Sequence, residues 1–447
     1  MKSYALNIVE RKSTLGKRFR FGRRLESLPS FRTEYHLDRD DIIWCKAFKR
    51  LQHKTQVFPH YLQDYYKRRL THSLEVAAIA SSLARALELN EVATEAIALG
   101  HDIGHTPFGH AGEKALNEAL KYLGTKDVFK NFASSKKFPL FGFDHCVHAV
   151  EVLTRIETRQ YQDGDTQGLD LTFDVVDGIL KHIYGEPKEG HPFATMDAIA
   201  SYPDFSIFGN NKGSLEAQCV WFADKLAYLM GDIEDGFNSR ILSIRNIYEA
   251  IEKAIETDEH SNAKDFKKSI EIYINWGMGI KDSKNITLNL IPYIRNRGID
   301  LLVDYVVRNA QKKINDKISS IKDVFAYGEK EEGRIVHVAK HWSEWWSWFY
   351  KNIVTNLLFN HKDVYAFNMK CEHIVKKLFM NYYHHPELIP IKYRDRTENI
   401  YKDITNNKDI IRVIQARNYV AGMTDPYAIL QYNRLFVASE PIIPDIE

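Results

Sequence analysis

Apolar residues recur at helical spacing along most of the chain, and strict alternation is scarce. In Ser73–Leu89 (SLEVAAIASSLARALEL), Leu74, Ala77, Ala78, Ser81 and Ala84 fall on one stripe of small, mostly apolar side chains. Neither glycine nor proline interrupts that run, and Thr71 stands where a helix N-cap is expected. Val92–Leu99 repeats the pattern and ends at Gly100. Gly109–Leu123, Val147–Arg159, Leu171–Ile183 and Ser214–Asp232 follow, the last with no proline and no glycine before Gly231. Strand-like stretches are short: Thr55–Phe58 and, more weakly, Arg334–Val338. These periods predict a mainly α-helical protein.

Two segments break the pattern. Thr125–Phe143 is rich in lysine, phenylalanine and serine and reads as an insertion or a mobile loop. Gly185–Gly213 is a long loop of the kind that often serves as a lid. From about Arg240 onward the chain is helical again, and Trp342, Trp345, Trp346 and Trp348 are expected on a buried helix face. No solenoid repeat and no low-complexity segment is evident.

The chain has 447 residues, 44% hydrophobic and 27% charged, enough for a sizeable core. Its 61 lysines and arginines nearly balance 59 acids, which leaves no global footprint for nucleic acid. Cys45, Cys146, Cys219 and Cys371 are widely spaced and read as free thiols in a reducing compartment. No apolar run reaches the roughly 18 residues that suggest a membrane span. The first residues, MKSYALNIVERKSTLGKRF, are too charged for a signal-peptide core. A soluble, cytoplasmic protein with no membrane partner is expected.

The chemistry lies in dispersed histidines and acids. His72 occurs in RRLTHSLEV, His101 and Asp102 in LGHDIGH, and Asp224 in WFADKLAY. Each adjoins an apolar helical stretch, where a buried charge is costly unless paired or metal-bound. Two imidazoles and two carboxylates suit Mn²⁺, Fe²⁺, Co²⁺, Ni²⁺ or Mg²⁺ with water in open positions, and suit structural zinc less well. His110 and Glu113, in GHAGE, share a face if a helix begins there, and such a carboxylate fixes the imidazole's tautomer and raises its basicity. Asp224, Tyr228 and Asp232 stand at successive helical turns and would line one wall of a pocket. Arg69 shares the face of His72 if the helix continues back to it. There is no Walker loop and no GxSxG elbow.

The strings that hold these residues resemble one family. H…HD…D, at His72, His101-Asp102 and Asp224, is similar to the signature of the HD phosphohydrolase superfamily. FKRLQHKTQVFP (Phe48–Pro59), RLTHSLEV (Arg69–Val76) and HDIGHTPFGHAGE (His101–Glu113) narrow it to the bacterial dGTPases, deoxynucleoside triphosphate triphosphohydrolases. SLEAQ (Ser214–Gln218), ADKLAYLMGDIEDG (Ala223–Gly236) and YVAGMTDPYA (Tyr419–Ala428) extend the likeness from about Arg32 to Phe436.

The resemblance implies a helical HD core over 61–240, an N-terminal segment over 1–60 that lends KTQVF to the site, and a helical C-terminal region over 241–447. It implies that His72, His101, Asp102 and Asp224 hold a divalent cation, Mn²⁺, Mg²⁺, Co²⁺ or Ni²⁺. His110, paired with Glu113, would act at the reacting phosphate, either as acid to the leaving oxygen or as activator of water. His105 and His145 would contact phosphates; Cys146 departs from the HN-type string common in relatives, and His148 is a second candidate beside it. Tyr228 would pack on the sugar and Asp232 accept its 3′-hydroxyl. Gln56 would bind the sugar, Arg69 a phosphate oxygen, and Lys225 would offset phosphate charge where many relatives carry an acid. The implied activity is hydrolysis of a deoxynucleoside triphosphate, dGTP favoured, to deoxynucleoside and triphosphate. Another HD nucleotide phosphohydrolase and a dNTP-sensing regulatory protein are the alternatives. A homo-oligomer, hexamer or tetramer, is implied, with a dNTP or single-stranded DNA as effector left open.

Overall fold

The computed structural model describes residues 2, 4–6, 31–56, 67–127, 129, 141–161, 164–182, 211–256, 283–328, 333–338, 340–402 and 405–438. Expectations for most of Thr125–Phe143 and Gly185–Gly213, and for residues 57–58, lie outside them. The first half is built from α1 (Glu34–Trp44), α2 (Lys46–Arg50), α3 (Arg69–Ala86), α4 (Glu91–Gly100) and α5 (Gly109–Gly124). Next come α6 (His145–Glu151), continued by a π-helical stretch Val152–Ile156, and a hairpin of β1 (Thr158–Tyr161) and β2 (Gly164–Gln167). Its strands are antiparallel, with Thr158 opposite Gln167. α7 (Phe173–Lys181) and the long α8 (Leu215–Asn238) complete this half.

The second half is helical: α9 (Ile244–Glu256), α10 (Ser283–Lys317), α11 (Ile321–Gly328) and α12 (Lys340–Phe349), the last running into a π-helical stretch Tyr350–Phe359. α13 (Lys362–His384), α14 (Ile391–Tyr401), α15 (Lys408–Ala421) and α16 (Asp425–Phe436) follow. Among the described residues no helix is long and apolar enough to cross a membrane.

Local chemistry sets several helix starts. Asn90 caps α4 by accepting from Ala93 N, and Ser214 caps α8 by accepting from Ala217 N. Asp144 accepts from the backbone of Cys146 and Val147, so α6 begins at His145, before the expected Val147. It gives way to β1 instead of running to Arg159.

α3 departs from expectation in two ways. It begins at Arg69, so Thr71 is not the N-cap but lies inside the first turn, its hydroxyl donating to Arg68 O at 2.7 Å. The cause is tertiary: Arg69 N donates to Lys54 O, and Thr55 bridges Arg68 as a single β-pair, anchoring the chain one turn earlier. The buried face is also rotated in part. Ala77 and Ala84 of the expected stripe are buried, together with His72, Ser73, Val76, Ile79, Ala80 and Leu83, whereas Leu74 is 52% exposed. Arg334–Val338 is not a strand either: the backbone N–H groups of Ile335 and Val336 donate to Gln218 Oε1 instead of to a ladder. Of the tryptophans with described side chains, Trp346 is buried and Trp348 partly so.

Among the described residues, two hydrophobic cores result. The first joins α1, α3, α4, α6, α7, α8 and the α10–α12 region. The second is made by Phe108, Ala115, Leu116, Ala119, Leu120 and Leu123 of α5 and its entry against α13–α16. α5 therefore packs with the C-terminal helices, although it is close in sequence to α3 and α4. The polar side chains described next lie along the seam between the cores.

Candidate active site

Three elements of the first core bring His72, His101, Asp102 and Asp224 together. His72 is in the first turn of α3, His101 and Asp102 directly follow α4, and Asp224 is mid-way along α8. His72 Nε2 lies 2.9 Å from Asp224 Oδ1 and 3.9 Å from Asp102 Oδ2. His101 Nε2 is 3.5 Å from a carboxylate oxygen of each aspartate. Its Nδ1 lies 2.6 Å from Ala98 O and donates to it, so Nε2 is the nitrogen turned, buried, toward the two carboxylates.

Burial opposes charge on His101, but Asp102 and Asp224 outweigh it and raise its pKa to about 9. Burial would likewise raise both aspartates, yet His101 and their other cationic neighbours hold them well below the usual carboxylate range. Two ionised carboxylates around a buried His101 Nε2 that makes no hydrogen bond fit a divalent cation with mixed nitrogen and oxygen ligands, which would take the place of the proton on that nitrogen.

The second group sits on α5 and α6. Glu113, fully buried, joins two histidines: Oε2 lies 3.0 Å from His110 Nδ1, and Oε1 lies 2.9 Å from His145 Nδ1. Oε1 also accepts from His145 N. Burial opposes ionisation of Glu113, but His145 and His110 hold its pKa well below the usual value. His145 is raised in turn, Glu113 overcoming burial. His105 stacks on His145 with ring centroids 3.8 Å apart and lies 3.2 Å from Asp102 Oδ1. Burial, Arg69 and His145 keep His105 neutral. His110 is different: its side chain is 50% exposed, so this imidazole meets solvent while Glu113 stays buried.

Backbone shape makes this convergence possible. Phe108 and Gly109, at the start of α5, both have left-handed φ, 62° and 57°. A Cβ on Gly109 would stand 2.5 Å from Arg69 Nη2 and 3.4 Å from the carbonyls of Thr55 and Gln56. Glycine there lets Arg69 and the Gln56 segment approach the site. Arg69 is fully buried, and its Nη1 donates to Asp102 Oδ2 at 2.8 Å while Nε and Nη2 have no partner. Gln56 is buried with an unpartnered Oε1.

Tyr228 and Asp232 follow Asp224 along α8. The Tyr228 ring stands 6.3 Å from that of His110 and 6.1 Å from that of Tyr350. Asp232 lies 3.5 Å from the Tyr350 hydroxyl, and burial with the nearby Asp235 pushes its carboxyl well above the usual range. Lys225, next to Asp224, is exposed, with its ammonium 4.4 Å from the centre of the Trp221 ring.

Four residues at the site escaped the sequence reading. His182, one position past α7, has its ring 5.0 Å from that of His101. Tyr350 ends the tryptophan-rich run, where the aromatic pattern masked its hydroxyl. Asp425 accepts from Thr55 N and Phe108 N, both at 2.8 Å, and so ties the Gln56 segment to the start of α5. Its signal was the Thr-Asp-Pro helix start, read only as part of a family string. Lys54 donates to His105 O and, at 3.1 Å, to Ala421 O. Burial and the neighbouring Arg50 lower its pKa to about 7.

Comparison with known proteins agrees with this layout. Residues 69–229 match the model of the HD domain, and residues 349–434 that of the phosphohydrolase-associated domain. A deoxyguanosinetriphosphate triphosphohydrolase-like protein of Bartonella quintana is 34% identical over 92% of this chain and 91% of its own length. Proteins of the same description from Rickettsia bellii and Geobacter metallireducens are 32% and 31% identical, each over 93% of this chain and 94% and 92% of their own lengths. The chain therefore belongs to the family of deoxyguanosinetriphosphate triphosphohydrolase-like proteins and is an HD phosphohydrolase.

Proposed function

We propose that this protein hydrolyses a deoxynucleoside triphosphate, dGTP favoured, to deoxynucleoside and inorganic triphosphate. The observation that carries the proposal is the pairing of His110 with the buried Glu113 beside the His72, His101, Asp102 and Asp224 cluster. Those four residues would hold Mn²⁺, Mg²⁺, Co²⁺ or Ni²⁺. Such a cation, when bound, offsets charge at the α-phosphate and lowers the pKa of bound water.

The rest follows from the chain's own side chains. Gln56, Tyr228 and Asp232 hold the sugar. Asp232, whose carboxyl burial and Asp235 push well above the usual range, accepts the 3′-hydroxyl. A sugar gripped at that end of α8 leaves the α-phosphate nearest Asp224 and His110. Arg69, with two unpartnered guanidinium nitrogens, and His105 and His145 take the phosphate oxygens. Lys225, exposed beside Asp224, would offset phosphate charge. Water attacks the α-phosphorus, the bond to the 5′-oxygen breaks, and that oxygen leaves with the electron pair and gains a proton. His110 either supplies that proton or takes the one water gives up. A substrate whose leaving oxygen needs no proton separates the two, since it restores His110→Ala only if His110 is the acid.

Cytoplasmic location, assembly as a hexamer or tetramer, and activation by a dNTP or single-stranded DNA belong to the same proposal. The deciding experiment is ion-exchange chromatography of the products of each dNTP with Mn²⁺, alone and in pairs. Deoxynucleoside and triphosphate are expected. Pyrophosphate as the main early product would place the leaving group on the other side of the phosphorus and end the reading.

A further inference from the structure

His145, Cys146 and His182 meet in a second cluster that the reaction does not use as a unit. All three are buried, and each offers a ligand atom within 4.8 Å of the others. Cys146 is in the first turn of α6, and its Sγ lies 3.8 Å from His182 Nε2. A tetrahedral zinc with bonds of about 2.3 Å to sulfur and 2.0 Å to nitrogen sets those two atoms about 3.5 Å apart. Little movement is needed to admit one.

The His182 ring is already oriented for such a role. His182 Nδ1 donates to Ile179 O at 2.7 Å, which leaves Nε2 as its lone-pair nitrogen. His145 Nδ1 is engaged by Glu113, which leaves its Nε2 likewise. A carbonyl or carboxylate behind a ligating histidine fixes its tautomer and strengthens its donation. The cluster adjoins the first site, because His182 also lies within 4.8 Å of ligand atoms of His101 and Asp224. Its thiol nonetheless gives it a different taste in metals: sulfur selects soft and borderline ions over Mg²⁺ or Mn²⁺.

We propose that His145, Cys146 and His182 form a second cation site, selective for a thiophilic divalent ion such as Zn²⁺, beside the His72–His101–Asp102–Asp224 site. On binding, Cys146 releases its proton to solvent and coordinates as thiolate, with no change of oxidation state. A cation there holds His145 and, through it, Glu113 in one arrangement, so Zn²⁺ restrains the His110 pair and slows turnover. The site does not depend on which nucleotide is cleaved.

The test titrates the full-length, metal-stripped protein with Co²⁺ as a spectroscopic substitute for Zn²⁺. Two equivalents are expected, one of which gives a thiolate-to-cobalt charge-transfer band that Zn²⁺ abolishes. Cys146→Ser should lose the band and one equivalent while keeping the other. Asp224→Ala should lose the other and keep the band. His182→Gln, which leaves the thiol in place, should weaken the band-forming equivalent by more than about tenfold. A wild-type protein without the band at saturating Co²⁺ overturns the proposal with no variant needed. A band that survives in Cys146→Ser would belong to another cysteine, and a band lost in Asp224→Ala would mean one shared site; either result also overturns it.

Discussion

At His110 the exposure of the ring and the burial of its partner divide the labour between two side chains. His110→Ala is expected to keep metal and nucleotide binding and lose turnover by about 10²–10⁴-fold, the usual worth of a placed proton-transfer group. Glu113→Gln should lose less, because Glu113 orients the ring and moves no proton itself. Elemental analysis with steady-state kinetics checks both, and a raised KM at unchanged kcat in His110→Ala would make the residue a binding group. Asp102→Ala should remove metal and activity together; a metal-free variant that remains fully active would refute the cation site. Asp235 supplies a pH test. Burial, opposed by Lys67, pushes its pKa up to about 7, against about 3.9 in an unfolded chain. A raised pKa means stability that is complete below the unfolded value and is lost as pH rises through the folded one. Asp235→Asn, which cannot ionise, should therefore gain thermal stability relative to the wild type between about pH 4 and 7. Melting curves across that range give the comparison, and a constant difference would contradict the shift.

The elements differ in how openly the sequence declared them. α8 was legible because Ser214 caps it and its long unbroken apolar pattern needs no outside help. α3 was legible as a helix but not in its start, and its inward face only in part. Its small residues give a weak amphipathic signal, and the Lys54–Thr55 segment, distant in sequence, decides where it begins. The same segment exposes α16 to a test. Asp425 opens that helix, far in sequence from His110 and Glu113, yet it is the acceptor for Thr55 N and Phe108 N. Asp425→Ala would leave two buried donors unsatisfied, at about 1–3 kcal/mol each. It should lower the melting temperature and raise KM for the dNTP, since Gln56 loses its anchor, while metal content stays unchanged. Activity and KM equal to wild type would show that the anchor is dispensable.

On the scale of the molecule, the site spans two cores, with the His72, His101, Asp102 and Asp224 cluster on one and the His110–Glu113 helix on the other. A division that assigns residues 61–240 to a catalytic core cuts through this arrangement, because α5 buries Ala115, Leu116, Ala119, Leu120 and Leu123 against the C-terminal helices. Expressed alone, residues 61–240 should expose that face and aggregate on size-exclusion chromatography. Co-expression with residues 241–447 should restore solubility and turnover together. An active, monodisperse 61–240 fragment would show that the C-terminal helices are an accessory.

The helical class and the identities of His72, His101, Asp102, His110, Glu113 and Asp224 were set by the sequence alone, because helical periodicity and residue chemistry are local properties. Even the pairing of His110 with Glu113 was readable, since three residues is nearly one helical turn. What brings His145 to the other oxygen of Glu113, Tyr350 to Asp232, and His182 to Cys146 was beyond it. Those meetings join residues on different elements, and no local pattern encodes the docking of one helix on another. The same holds for Lys225, whose ammonium lies beside the Trp221 ring. Only the packing of the two cores decided which polar side chains share the seam.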